Sequence, residues 1–301
     1  MNELLKLSIG ELAVGYRNGS ISPVDVTAAA LQRIEQSNSS LHSFNTVVEE
    51  SAMSRARSAE REFADGVDLG PLHGVPLAHK DMYYRAGKIS TCGSKIRKDF
   101  APDHTATTIA RLADAGAPHL GGLNMSEFAV GPMGHNDHYG SCRNPWNPDH
   151  VTGGSSSGSG SSVGGRLVYG ALGSDTGGSV RLPAACCGLV GMKPTQTRVS
   201  RYGLMGLSFS LDNAGPLTRT VRDNARMLGP IAGADPVETT ASAMPVEDNE
   251  AAALSPAVTG LRNAVPATSY YDSAAPAVRA LNAAGPKGAG WAAAEVPGGG
   301  G

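Results

Sequence analysis

Between residues 153 and 165 the chain is almost nothing but glycine and serine, six of each, with Val163 alone breaking the run. Such a stretch cannot fill a core with its own side chains. Either it is a flexible tether, or its backbone is used at close quarters, where a Cβ would be in the way. A tether should lead into a new domain. This stretch leads instead into an apolar run ending at Leu172, and then into a second turn of the same texture, Asp175-Thr176-Gly177-Gly178-Ser179-Val180-Arg181. A phosphate-cradling loop is excluded, because no Lys follows Gly158 or Gly160. The nucleophile-elbow pattern G-x-S-x-G is met by Gly154 to Gly158 with Ser156 at its centre. That pattern needs a strand before it, and Asn147 to Thr152 reads as loop.

A fourth reading joins both turns to Lys80. Cleaving an amide takes a nucleophile, a base and a group of donors for the oxyanion. A serine hydroxyl is inert at neutral pH until its proton is taken. Lys does this only when neutral, which burial in apolar surroundings achieves. Lys80 ends the run Val75-Pro76-Leu77-Ala78-His79-Lys80, suited to a core strand. Successive amides of the turn 176–179 can converge on an oxyanion.

These segments together resemble the amidase signature family. The resemblance rests on Leu72 to Asp81, Gly153 to Ser159, Gly173 to Ala184 and Cys187 to Thr195, with support from Arg143 to Trp146 and Ser200 to Gly203. It spans roughly residues 5–235, with a fainter likeness over 260–281. It implies an α/β fold: a mixed β-sheet core covered by helices on both faces, with the family's C-terminal part cut short. It also implies a Ser–cis-Ser–Lys triad of Lys80, Ser155 and nucleophile Ser179, a cis Gly154–Ser155 peptide, and an oxyanion hole from Thr176, Gly177, Gly178 and Ser179. The implied reaction is hydrolysis of an amide, or of a related carbamate or ester, through an acyl-enzyme, with no metal or cofactor. Two rivals stay open: the A subunit of a glutamyl-tRNA amidotransferase, and a truncated, inactive binding module. The chain departs from the family at Gly122-Leu123-Asn124, where Lys-Thr-Asn is common. It departs again after Ser155, where an Ala-rich helix is usual. Each Gly there is expected to cost up to about 1 kcal/mol relative to Ala.

Balanced charge, 25 Lys and Arg against 27 Asp and Glu, gives no basic surplus for nucleic acid and no polybasic patch for a membrane. The expected partner is a small-molecule substrate, and a homodimer stays open. The four cysteines form no Cys-x-x-Cys pair and are too few for a disulfide scaffold. No leader is visible in Met1 to Gly19 and no apolar stretch is long enough to span a bilayer, so a cytoplasmic location is expected. The region 1–65 reads as helical and part of the same domain, with Ser8/Glu11 and Ser22/Pro23 as helix starts. The catalytic core is expected over 66–235, with helices after Asp103 and Thr220 and a strand at His119 to Leu123. Residues 236–301 read as a weakly matched end. Of residues 274–301, 17 of 28 are Gly or Ala, so the tail beyond about Ala283 is expected to contribute little to folding.

Other residues read as structural. His135 and His138 lack further ligands for zinc. Cys186 and Cys187 read as buried thiols in a strand-like run. His79 should point away from the Lys80 face of its strand. Asp175 and Arg181 read as a buried ion pair holding the turn, and Asp212 as a loop-fixing residue.

Overall fold

Local signals at the start of the chain become helices by specific bonds. Ser8 and Glu11 cap each other reciprocally to begin α1 (Ile9–Arg17). Ser22 Oγ accepts from the Val24 and Asp25 amides, and Pro23 occupies the first turn of α2 (Pro23–Leu41). That helix runs three residues past Asn38, a residue type that often ends helices. The Asn38 side chain instead clasps both backbone groups of Phe44, at 2.8 and 3.0 Å. His42 makes the left-handed exit. The computed structural model describes residues 2–254 and Pro276; the tail beyond Ala283 lies outside the described residues.

The remaining elements are β1 (Phe44–Val47), α3 (Glu49–Ala64), β2 (Leu77–Lys80), α4 (Thr107–Asp114), β3 (His119–Leu123), α5 (Ser157–Gly164), β4 (Gly170–Asp175), α6 (Arg181–Cys187), β5 (Val190–Gly191), β6 (Asn213–Thr218), α7 (Val221–Ile231) and α8 (Asn249–Leu254). The strands form one sheet in the order β1-β3-β2-β4-β6-β5. Strand β2 lies at its centre, parallel to β3 and β4, while β1, β6 and β5 join antiparallel. The sheet is therefore mixed, and the chain is α/β as its resemblance implied.

Alternation along the strands divides the core between the faces. Leu77 and Leu172 join Ile109, Leu112, Met227 and Leu228 on the side of α4 and α7. Their neighbours Ala78 and Ala171 join Ala30, Ile34 and Val163 on the side of α2 and α5. Helices thus cover both faces. Among the described residues no helix is long and apolar enough to cross a membrane.

Three local readings are corrected. Asp103 does not cap α4; its carboxylate meets His104 Nδ1 at 2.7 Å, and α4 starts after Ala106 without a side-chain cap. Cys186 and Cys187 lie in the helix α6, and Cys186 is exposed. The local reason is Asp175, which accepts from the Val180 and Arg181 amides and so starts a helix where composition suggested a strand. The glycines of α5 are the third. A Cβ on Gly158 would lie 2.6 Å from both the amide nitrogen and the carbonyl oxygen of Asn124, and one on Gly160 would lie 2.9 Å from Pro183. Their cost in helix propensity accompanies a backbone approach that Ala would block.

Candidate active site

The Gly/Ser segment is a buried element of the structure. The serines of α5 are tied to different neighbours. Ser159 donates to Leu172 O at 2.9 Å, and Ser161 to Arg143 O at 2.8 Å while accepting from Ser43 Oγ. Ser156, the centre of the elbow pattern, is fully buried and committed to the backbone of Ser174. It donates to the carbonyl and accepts from the amide, both at 3.2 Å. Its hydroxyl is not available to a substrate.

Lys80 closes β2 with its side chain on the α5 face and none of its surface exposed. Nζ lies 2.7 Å from Ser155 Oγ and 2.8 Å from Ser174 Oγ. No carboxylate pairs with it among the described residues. Burial therefore dominates, and pushes its pKa down to about 7, with distant Asp175 and Asp212 opposing. The Ser174 hydroxyl donates to Met82 Sδ at 3.1 Å, so its oxygen must accept from Lys80. Ser174 was missed in the sequence. Strand β4 is buried along its whole length, so no inward alternation singled Ser174 out.

The Gly154–Ser155 peptide is cis. The Ser155 carbonyl accepts from Ser126 N at 3.1 Å, and Gly154 N donates to Pro132 O at 2.7 Å. Ser179 stands beside this segment: its carbonyl accepts from Ser156 N at 3.3 Å. It is half-buried, and its hydroxyl has no hydrogen-bond partner among the described residues. The structure thus joins Lys80 to Ser155 directly, and brings Ser179 alongside through the backbone without a bond between the two hydroxyls.

The turn 176–179 is held by Asp175, whose carboxylate is buried and accepts from Gly178 N at 2.9 Å, Val180 N at 3.1 Å and the Arg181 guanidinium at 2.9 and 3.0 Å. Arg181 is half-exposed, so the pair is only partly buried. These bonds hold the Asp175 carboxyl below its usual pKa against the opposing effect of burial. Gly178 sits at φ +134°, a conformation Gly adopts freely. Its amide is spent on Asp175. The amides of Gly177 and Ser179 have no acceptor within the protein among the described residues. Thr176 faces Asp212, to which its hydroxyl donates at 2.5 Å, and Asp212 also takes the Leu207 and Ser208 amides.

Among the described residues no group of three or more His, Cys, Asp or Glu could hold a metal. His138 meets Glu127 at 2.9 Å rather than His135. His79 points away from Lys80's face, towards α4.

The profile of the Amidase family matches residues 25–284, past residue 235 where the sequence resemblance thinned. A relative from Geobacter sulfurreducens, the glutamyl-tRNA(Gln) amidotransferase A subunit, is 45% identical over 283 residues, covering 94% of this chain and 58% of that protein. The peptide amidase of Stenotrophomonas maltophilia superposes with a TM-score of 0.80 at 37% identity, over 85% of this chain and 55% of the other. The glutamyl-tRNA(Gln) amidotransferase A subunit of Thermotoga maritima does so with a TM-score of 0.74 at 33% identity, over 89% and 55%. The chain spans little more than half the length of these relatives. With the family profile covering most of its residues, and the Lys80–Ser155 pair, the cis peptide and the glycine turn all within that match, the chain belongs to the Amidase family.

Proposed function

We propose that the chain is a serine amidohydrolase acting on an amide, or a related carbamate or ester, through an acyl-enzyme. The observation that carries this reading is the buried Lys80 amine, unpaired with any described carboxylate and 2.7 Å from Ser155 Oγ. Neutral Lys80 takes the Ser155 proton while Ser155 takes that of Ser179. Ser179 Oγ, whose hydroxyl has no competing partner, attacks the carbonyl. The developing oxyanion is held by the open amides of Gly177 and Ser179, with Thr176 beside them; Gly178 contributes the turn's shape. The proton returns through Ser155 to the leaving amine, and water then releases the acyl group. Labelling with a fluorophosphonate followed by peptide mapping tests the assignment. The adduct is expected on Ser179, and an adduct on Ser156 would overturn it.

The pH profile follows from Lys80. Its protonated form cannot act as a base, and its pKa is lowered to about 7. Activity should rise with pH through a midpoint near 7 and level off above about pH 8, about one pH unit beyond the midpoint. A flat profile from pH 6 to 8 would exclude the neutral-lysine role. Ser174→Ala removes an acceptor that favours the charged amine, so the midpoint should move to lower pH. Turnover of an aryl amide measured across pH 5–9 checks both.

A second reading is favoured by the relatives named as amidotransferase A subunits, one of them 45% identical to this chain. In that reading the same triad releases ammonia for a partner enzyme. Copurification with partner subunits and glutamine-dependent transamidation would support it.

A further inference from the structure

The sheet face opposite Lys80 holds a cavity that the proposed reaction does not use. It is a partly open hollow of about 250 Å³ between β2, β3 and α4, and its walls include Leu77, Ile109, Leu112, His79, His119 and Arg85. The first three belong to the apolar core. The other three are basic, and among the described residues no acidic side chain lines the space.

Three of the four histidine ring nitrogens there have no partner among the described residues. His79 is 4% exposed. Its Nδ1 lies 3.0 Å from the Lys80 carbonyl, which can only accept, so Nδ1 carries the proton and Nε2 is an acceptor. Nε2 has no partner. The His119 ring lies 4.4 Å from that of His79, and neither of its nitrogens has a partner among the described residues. Burial keeps both rings neutral, with His79 pushed down to about 4 and the nearby Arg85 charge adding to the effect. Burial alone moves Arg85, also downward, with no bonding partner offsetting it. Buried polar groups are nearly always satisfied. Water could occupy the histidine nitrogens, but it would wet the leucine and isoleucine wall and bring no counter-charge to the half-buried Arg85.

We propose that this cavity binds a small carboxylic acid with an apolar body of about the size of benzoic acid. A carboxyl group is one donor and one acceptor. The acid's proton passes to the acceptor Nε2 of His79; the carboxylate so formed accepts that N–H on one oxygen and the single N–H of His119 on the other, and its negative charge faces Arg85. The ring rests on Leu77, Ile109 and Leu112. A cavity of about 150 Å³ already takes a benzene ring, so the volume suffices. The site lies on the other face of the sheet from Ser179, and the proposal stands apart from the hydrolase reading.

Benzoate, with benzyl alcohol as the uncharged control, tests this on the full chain. Benzoate is expected to raise the melting midpoint by roughly 3–6 °C at about ten times its Kd, and to shift the ring-nitrogen NMR signals of His79 and His119. The response should persist in Ser179→Ala. Arg85→Gln should weaken binding at least about tenfold, the scale of one lost charge-assisted contact. His119→Leu, which fills the space with an apolar side chain, should abolish binding in a folded protein. The proposal is overturned by no response to benzoate, by an equal response to benzyl alcohol, by loss of the response in Ser179→Ala, or by unchanged binding in Arg85→Gln. The Arg85 result decides the matter should His119→Leu fail to fold.

Discussion

Replacing Lys80 or Ser179 by Ala is expected to lower kcat by about four orders of magnitude or more, and replacing both to cost little beyond either alone. Groups that act as one unit lose their contribution together. Without Lys80 the Ser155 hydroxyl has no acceptor strong enough to draw a proton, and Ser179 is then an ordinary alcohol. Without Ser179 there is nothing for the base to activate. Lys80→Met keeps most of the side-chain volume in a site with no exposed surface, so it separates loss of chemistry from loss of fold. Single-turnover measurements on an aryl amide, with circular dichroism as the folding control, check the prediction. Substantial turnover in Lys80→Ala would remove the lysine from the relay.

The second large effect concerns folding, and its sign runs against helix propensity. Gly158→Ala sits inside α5, where Ala is intrinsically better by up to about 1 kcal/mol. The structure predicts a loss instead. The new Cβ would overlap the Ser43 carbonyl and lie 2.6 Å from the Asn124 amide nitrogen and carbonyl oxygen, all of them backbone. Asn124 is itself pinned, with its side chain donating to His42 O and Gly140 O and its carbonyl accepting from Gly158 N at 2.9 Å. Nothing flexible can yield, so destabilisation of about 2–3 kcal/mol or more is expected. Urea unfolding measures it. A Gly158→Ala protein more stable than the natural one would show that α5 has room to move.

This contrast explains which parts of the fold were legible. Caps are short-range, so Ser8, Ser22 and Thr220 declared their helices in the sequence. The α6 helix did not, because its start depends on Asp175, a residue on the preceding strand. The need for glycine in α5 was illegible for a related reason: Ser43 and Asn124 approach it from distant parts of the chain. At the site, the positions of Lys80, Ser155 and Ser179 came from motif order. Ser174 required knowing that Lys80 reaches across from β2 to β4. The commitment of the Gly178 amide to Asp175 was equally hidden, since a glycine in a turn gives no sign of where its N–H points.

The Asp175 clamp has a consequence for motion. One carboxylate ties down Gly178, Val180 and Arg181, so these amides can open to solvent only when the whole turn lets go. Their hydrogen exchange is then correlated, and governed by a single local unfolding event. Gly177 and Ser179, held by no internal acceptor, exchange through the closed turn. An acyl-enzyme or a bound oxyanion mimic would reverse that order for these two amides alone. The loop thus carries a rigid set of donors and a responsive set, interleaved residue by residue along the same five positions.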